Sequence, residues 1–543
     1  MRFLPILHLP ALPLPIPLIL VPVLTAACAE PGRIDLALRA PDGTGLDAVD
    51  TLEVTLLTEP DGTRVAEGQV QGGSLEELDT AFRRADVDPD RRYVFEVRGD
   101  TGICDSGRVV GRSLPFEVES NDSVESVTMY VACADEFAPT ESRMQAERSS
   151  FAAVWDATTP GAVLLGGASR VVLVADGSPT ELVPLDSVER YDVATGEFSS
   201  DPPLTMPRAA PVAQIVGDGT IAVLGGVGLP EVDGSPGAPL DTVEALEGET
   251  RRGLVNLANY WVETSSLVLN DGTIALVGSA YDVAGSLSQA EVYDAVRSLD
   301  VASVPSLFGA AQRSGAMVVA FDGRDRALMA GGIVGSDAGV APPPELFDAS
   351  SACDDGATDP PCMGLIDEDG DPDGFGPGAG WKSAAGAWAP CAAGGGTAYL
   401  MGGEIGAEPA EQVAEIFCFR DEPGSAPAPL RRIGELRSAR AGASAVLVRG
   451  SRILVVGGAA RSGGVGNAEL FRVDACTCEQ QIETDAIEEI PIDLDSNYLL
   501  RPTLVPLGDG TVLVAGAVAL QFGPTSVELS ATNDAWVFDP DLD

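Results

Sequence analysis

Short apolar runs separated by turn residues fill most of this chain, and from about residue 150 they fall into a repeating order. An apolar run is followed by a turn containing Gly, then by a second apolar run that ends in paired glycines. The turns include Asp218-Gly219-Thr220, Asp271-Gly272-Thr273, Asp322-Gly323 and Asp509-Gly510-Thr511. Asp-Gly between two apolar runs predicts a hairpin, because Gly accepts a positive φ at little cost. The doublets are Gly166-Gly167, Gly225-Gly226, Gly331-Gly332, Gly402-Gly403 and Gly457-Gly458, with degenerate copies at Gly278-Ser279 and Ala515-Gly516. From 166 through 225, 278, 331, 402 and 457 to 516 the spacings are 59, 53, 53, 71, 55 and 59.

A third run follows each doublet, reading Glu, any residue, an aromatic and often Asp. It stands as Glu189-Arg190-Tyr191-Asp192, Glu291-Val292-Tyr293-Asp294 and Glu345-Leu346-Phe347-Asp348, with weaker copies at Glu415-Ile416-Phe417 and Glu469-Leu470-Phe471, and Ala535-Trp536-Val537-Phe538-Asp539 last. The second copy keeps only Val243-Glu244-Ala245-Leu246. Alternating polar and aromatic positions suit a strand with unlike faces. In these features residues 136–543 resemble the kelch repeat family, whose period is about 50 residues. The resemblance implies a β-propeller of four-stranded antiparallel sheets, seven here, or six if a degenerate copy fails. The last copy stops after its third strand. The stretch around Glu136-Phe137 resembles the repeat junction at Glu197-Phe198, so residues 136–145 are expected to supply the missing fourth strand and close the ring.

Residues 30–135 lack the repeat. Alternating runs at Ile34–Leu38, Leu52–Leu57, Tyr93–Val97, Val109–Val110 and Val124–Val131 read as a small β-sandwich, with one or two helical turns expected over Leu75–Arg84. The fold class expected is therefore all-β, a sandwich followed by a propeller.

The first 28 residues read as an export signal. Arg2 precedes an uncharged apolar run from Phe3 to Leu24 that contains six prolines, too many for a stable spanning helix. Leu24-Thr25-Ala26-Ala27-Cys28 resembles a lipoprotein signal, with Cys28 acylated; ordinary cleavage at Ala27-Cys28-Ala29 is the alternative. The expected destination is the outer membrane or cell surface, otherwise the periplasm or the medium, with membrane contact only through the lipid. Setting Cys28 aside leaves eight cysteines, and an oxidising compartment would let them pair. Nearest neighbours suggest Cys104 with Cys133, Cys353 with Cys362, Cys391 with Cys418, and Cys476 with Cys478. Zinc is the rival reading, opposed by the scattered spacing.

Charge and composition narrow the chemistry. Asp and Glu number 82 against 33 Lys and Arg, a net charge of −49 that opposes binding to nucleic acid or anionic lipid. The sole histidine, His8, lies in the signal. Ser-His-Asp and Cys-His catalysis and His-ligated zinc or copper are thereby excluded from the mature chain. Copper-radical oxidases among kelch-like propellers need such ligands. Carboxylate, Tyr, Arg and Ser chemistry remains. Arg208, Arg313, Arg440 and Arg501 lie near blade starts and read as repeat structure.

The widest interval holds an acidic insertion at about 349–380. Asp367, Asp369, Asp371 and Asp373 with Gly374 give alternating oxygen ligands followed by a turn glycine, which predicts a calcium loop; a solvated acidic loop is the alternative. Trp381 and Trp388 flank it and are the tryptophans expected to be exposed. No motif marks a nucleophile. The sequence favours a scaffold that binds a protein or glycan through propeller loops, with a carbohydrate-active, glycosidase-like enzyme as the alternative.

Overall fold

The computed structural model describes residues 33–40, 51–71, 78–83, 88, 91–118, 124–174, 179–217, 219–229, 237–254, 256–281, 287–293, 304–307, 313–334, 342–350, 362–366, 381–406, 410–422, 428–460, 463–494, 497–522 and 526–542. Cys28, Cys353 and the four aspartates of the acidic insertion lie outside them, so the lipid, calcium and Cys353–Cys362 expectations do too.

Two sheets form the first part. One holds 78–83, 33–39 and 124–130 in that order, and the other 64–71, 51–59, 92–100, 108–112 and 132–133. Their inward residues share one core, including Leu36, Leu38, Val54, Leu56, Phe95, Val97 and Met129. The alternation predicted this, because successive strand side chains point to opposite faces. The helical turns expected at Leu75–Arg84 are corrected: Leu78–Arg83 is a strand, antiparallel to the first one. Pairing against a sandwich core overrides a weak local preference.

Among the described residues the repeat builds seven sheets, here called blades 1–7, each with four strands a to d running outward, and blade 6 adds a short fifth at Gly463–Gly464. Strand a spans Ala152–Asp156, Val212–Val216, Tyr260–Val268, Met317–Phe321, Ala385–Pro390, Ala441–Val448 and Thr503–Pro506 in turn. Blade 7 is completed from the other end of the chain. Glu136–Pro139 pairs antiparallel with Ala535–Asp539, and the Phe137 and Phe538 rings lie 5.0 Å apart. The closing strand is shorter than the expected 136–145.

The apolar cores lie between the blades. One cluster joins Phe321 and Leu328 of blade 4 to Trp388, Leu400 and Phe419 of blade 5. Another joins Ile416 and Tyr399 of blade 5 to Ile453 and Phe471 of blade 6. Similar clusters join blades 6 and 7, 7 and 1, 1 and 2, 2 and 3, and 3 and 4. Each sheet is buried on both faces, and the circle has no exposed edge strand at the junction of its ends. Two long hairpins, from blades 1 and 7, add an outlying sheet of 179–184, 168–174, 526–531 and 518–522.

Three disulfides are described. Cys104–Cys133 joins as expected. The other two correct the nearest-neighbour pairing: Cys391 joins Cys476 and Cys418 joins Cys478. The reason is packing between blades. The loop after strand c of blade 6 folds over blade 5, where Thr397 Oγ1 donates to Ala475 O at 2.9 Å and the Tyr399 hydroxyl donates to Asp474 O at 2.9 Å. Both cysteines of that loop are thereby delivered to the neighbouring blade.

Candidate functional site

The site is best built from the blade starts, where the sequence placed its arginines. Arg148, Arg208, Arg313 and Arg440 are fully buried. Each donates to the first carbonyl of its own glycine doublet: Gly166 O at 3.0 Å, Gly225 O at 2.9 Å, Gly331 O at 3.1 Å and Gly457 O at 3.1 Å. Each also faces the buried Glu of strand c. Arg148 meets Glu189 at 2.5 Å, Arg208 meets Glu244 at 3.8 Å, Arg313 meets Glu345 at 2.8 Å, and Arg440 pairs with Glu469. Burial pushes the four guanidiniums below their ordinary pKa and the facing carboxylates pull them back. In blade 3 the Trp261 indole N–H and the Asn259 amide serve Glu291, each at 2.9 Å, and in blade 5 Trp381 donates to Gly402 O at 2.9 Å. These clusters hold the repeat together, as expected for Arg208, Arg313 and Arg440.

The second glycine of a doublet bonds to the next blade. Gly167 N–H donates to Arg208 O, Gly332 N–H to Trp381 O, Gly403 N–H to Arg440 O and Gly458 N–H to Leu499 O, at 2.6–2.9 Å. Backbones come so close that a Cβ on Gly457 would lie 2.2 Å from Leu499 O. This contact requires the glycines at the ends of the apolar strands. It also shows that Leu499, not Arg501, occupies the blade-start position in blade 7. The grouping of Arg501 with the other arginines is therefore corrected.

Two residues beyond the blade-start position of every blade but the third, where Glu263 lies within the strand Tyr260–Val268, the backbone is left-handed. The φ values are +50° at Ser150, +48° at Ala210, +68° at Gly315, +58° at Ser383, +69° at Gly442 and +48° at Arg501. These residues are linked from blade to blade. Ala210 N–H donates to Ser150 O at 2.7 Å, Gly442 N–H to Ser383 O at 2.8 Å, and Arg501 N–H to Gly442 O at 2.7 Å. The result is a collar around one end of the central channel. A cavity of about 470 Å³ opens there, lined by the collar residues of blades 4–7 and by strands a of blades 3–7. Its lining is small and hydroxylated, with Thr264, Ser265, Ser383 and Ser444, and Arg501 is its one charged residue among the described residues. The Arg501 side chain runs past Gly442 and donates to Ser383 Oγ at 3.2 Å.

The tryptophans expected at the surface are elsewhere. Trp381 and Trp388 are buried, the first against Phe417 and the second stacked on Phe321 at 4.2 Å. Indole area is worth more between blades than in water. Sequence reasoning missed the collar, because its residue types differ from blade to blade and only the left-handed backbone unites them. Position counted from the doublets could have found it.

The fold these features define is a β-propeller of antiparallel sheets preceded by a sandwich. Neither a protein-family model nor a curated protein sequence matches the chain. Among solved structures it is similar to a fungal alcohol oxidase of the AA5 family in complex with copper, with TM-score 0.50 and 17% identity over 75% of this chain and 76% of that one. It also matches the structure of YjhT, with TM-score 0.41 and 13% identity over 64% of this chain and 98% of that one. The first likeness supports the galactose-oxidase-like propeller fold. Copper does not fit the cavity described here. Its lining offers hydroxyls and a guanidinium, whereas protein copper sites are built from imidazole and sulfur donors, and the chain's one histidine is His8.

Proposed function

We propose that this protein is an exported binding protein, held to the envelope by a lipid on Cys28, that takes its ligand at the collar end of the propeller. The observation that carries the reading is the cavity itself. It is of a size that ligand pockets commonly have, and its lining combines hydroxyls with the Arg501 side chain. The ligand is a glycan or a group displayed by a protein. The acidic insertion adds a calcium loop through Asp367, Asp369, Asp371 and Asp373, with a structural role.

A glycan array and an envelope-protein pull-down test the reading with the protein and its Ser444→Trp variant, which fills the cavity. Bound species should be lost with Ser444→Trp and kept with Thr250→Trp, on the outer strand of blade 2. Retention of all binding by Ser444→Trp would refute the site. The lipid assignment predicts that Cys28→Ala releases the protein from membranes; unchanged membrane association contradicts it. The calcium assignment predicts a rise in the melting temperature with calcium that Asp369→Ala with Asp371→Ala abolishes.

A further inference from the structure

A smaller cavity lies where the ring closes, at the other end of strand a of blade 7 from the collar. Its volume is about 40 Å³, and blade 7, blade 1, the closing segment and the sandwich all contribute to its wall. Four of its lining side chains are polar and more than nine-tenths buried: Asp509, Thr511 and Asp539 of blade 7 and Tyr191 of blade 1. Strand register explains their convergence. Val512 pairs with Phe538, so Thr511 stands opposite Asp539, on the face where Val537 packs towards blade 1. The Asp509 carboxylate folds back onto Thr511, where Oδ1 accepts from the N–H at 3.0 Å and from the hydroxyl at 2.7 Å. Among the described residues no hydrogen bond or ion pair serves Asp509 Oδ2, either Asp539 side-chain oxygen or the Tyr191 hydroxyl. Arg449 donates to the Asp509 backbone carbonyl and pairs with Glu96 at 3.8 Å, rather than with either carboxylate. Buried polar groups of this kind ordinarily meet a water or an ion.

We infer that this cavity holds a hydrated Mg2+ ion, with Asp539 as its ligand and its waters donating to Asp509 Oδ2 and the Tyr191 hydroxyl. The donors are all oxygen, which suits magnesium, calcium and manganese rather than softer metals. Size and donor count decide among these. At roughly 10–15 Å³ for each water, 40 Å³ admits an ion with about three waters. Among the described residues no third carboxylate gathers with these two closely enough to share an ion. Calcium takes about six to eight oxygens, mostly from protein, whereas magnesium keeps several waters and needs only one or two carboxylates. Glu141 lines the same cavity from its exposed side and adds negative charge to the approach. The ion joins blade 7 to blade 1 beside the closing segment, where Glu141 N–H donates to Gly196 O at 3.0 Å. This site is separate from the collar cavity and from the acidic insertion.

Mn2+ takes the place of magnesium and is paramagnetic, so its electron spin resonance reads the site. The parent is the full-length protein carrying Asp369→Ala and Asp371→Ala, which removes the acidic insertion from the count, at physiological ionic strength. One equivalent of Mn2+ should bind and be displaced by Mg2+, with Ca2+ about tenfold less effective. Asp539→Asn should abolish that equivalent, and Tyr191→Phe should weaken it about tenfold. Circular dichroism of each variant checks the fold. Thermal midpoints give a second reading. Mg2+ should raise the midpoint of the parent and leave Asp539→Asn unmoved, although without added metal Asp539→Asn is the more stable of the two. The assignment is overturned if no equivalent of Mn2+ is held, if Asp539→Asn or Tyr191→Phe holds it as the parent does, or if Ca2+ displaces it more readily than Mg2+.

Discussion

Two arginines in comparable sequence settings have opposite physical roles. Arg440 is fully buried, and its partners are Glu469 and the carbonyls of Gly457 and Asn467. Removing it leaves the Glu469 carboxylate buried without its counter-charge, so Arg440→Ala is expected to cost about 3–5 kcal/mol of stability, measured by urea denaturation. Arg501 sits in strained backbone at the surface of a cavity. Arg501→Gly relieves that strain and is expected to gain up to about 1 kcal/mol, read by the same denaturation. A loss of stability for Arg501→Gly comparable to that of Arg440→Ala would show that Arg501 is structural after all.

At the scale of elements, loops and ends tie blades together. The Cys391–Cys476 and Cys418–Cys478 bonds span 85 and 60 residues and fasten blade 6 to blade 5. Loops of this length correspond to about 4 kcal/mol each in the chain-entropy account, and the two overlap, so they do not add. Replacing Cys391 and Cys476 by Ser is expected to lower the thermal midpoint and to open the 474–478 loop to protease. A pattern of thiol labelling that matches Cys391 with Cys418 would contradict the pairing. The closing strand 136–139 is equally exposed to test. Phe137→Asp places a charge beside Phe538 and is expected to make blade 7 the first to unfold, read as early loss of protection from hydrogen exchange at 512–515 and 535–539.

For the whole molecule, the junction between sandwich and propeller carries the pH dependence. Arg108 pairs with Asp541, Arg98 donates to Leu542 O at 3.1 Å, and the Tyr130 hydroxyl donates to Thr195 O. Burial pushes Tyr130 up to about 12. Beneath these contacts burial raises the Asp539 carboxyl well above its ordinary value; Asp509, Asp135 and Asp541 push the same way and Arg449 opposes them. Burial also raises Asp509. A carboxyl that holds its proton more tightly when folded stabilises the fold while protonated. That contribution is full below the unfolded value near 3.8 and is lost as pH rises through the folded one. Asp539→Asn keeps the shape without the charge. It is expected to raise the thermal midpoint at neutral pH and to flatten its decline from acidic to neutral pH; a profile parallel to the parent's would refute this.

The repeat, the hairpin turns, the sandwich strands and the closing of the ring by the Phe137 segment were legible in the sequence, because strand alternation and Asp-Gly turns are local and a period repeated seven times averages out the weak copies. That the chain's one histidine is His8 was legible too, and it leaves no imidazole for a site built from any later residue. Disulfide pairing, the burial of Trp381 and Trp388, and the separation of Arg501 from the blade-start arginines were decided only in three dimensions. Each depends on which residue of one blade faces the next, and that contact is fixed by the curvature of the ring rather than by distance along the chain. The collar belongs to the same class. Its members share a backbone conformation and an axis, which no residue type encodes, so the cavity exists only once the blades have closed around it.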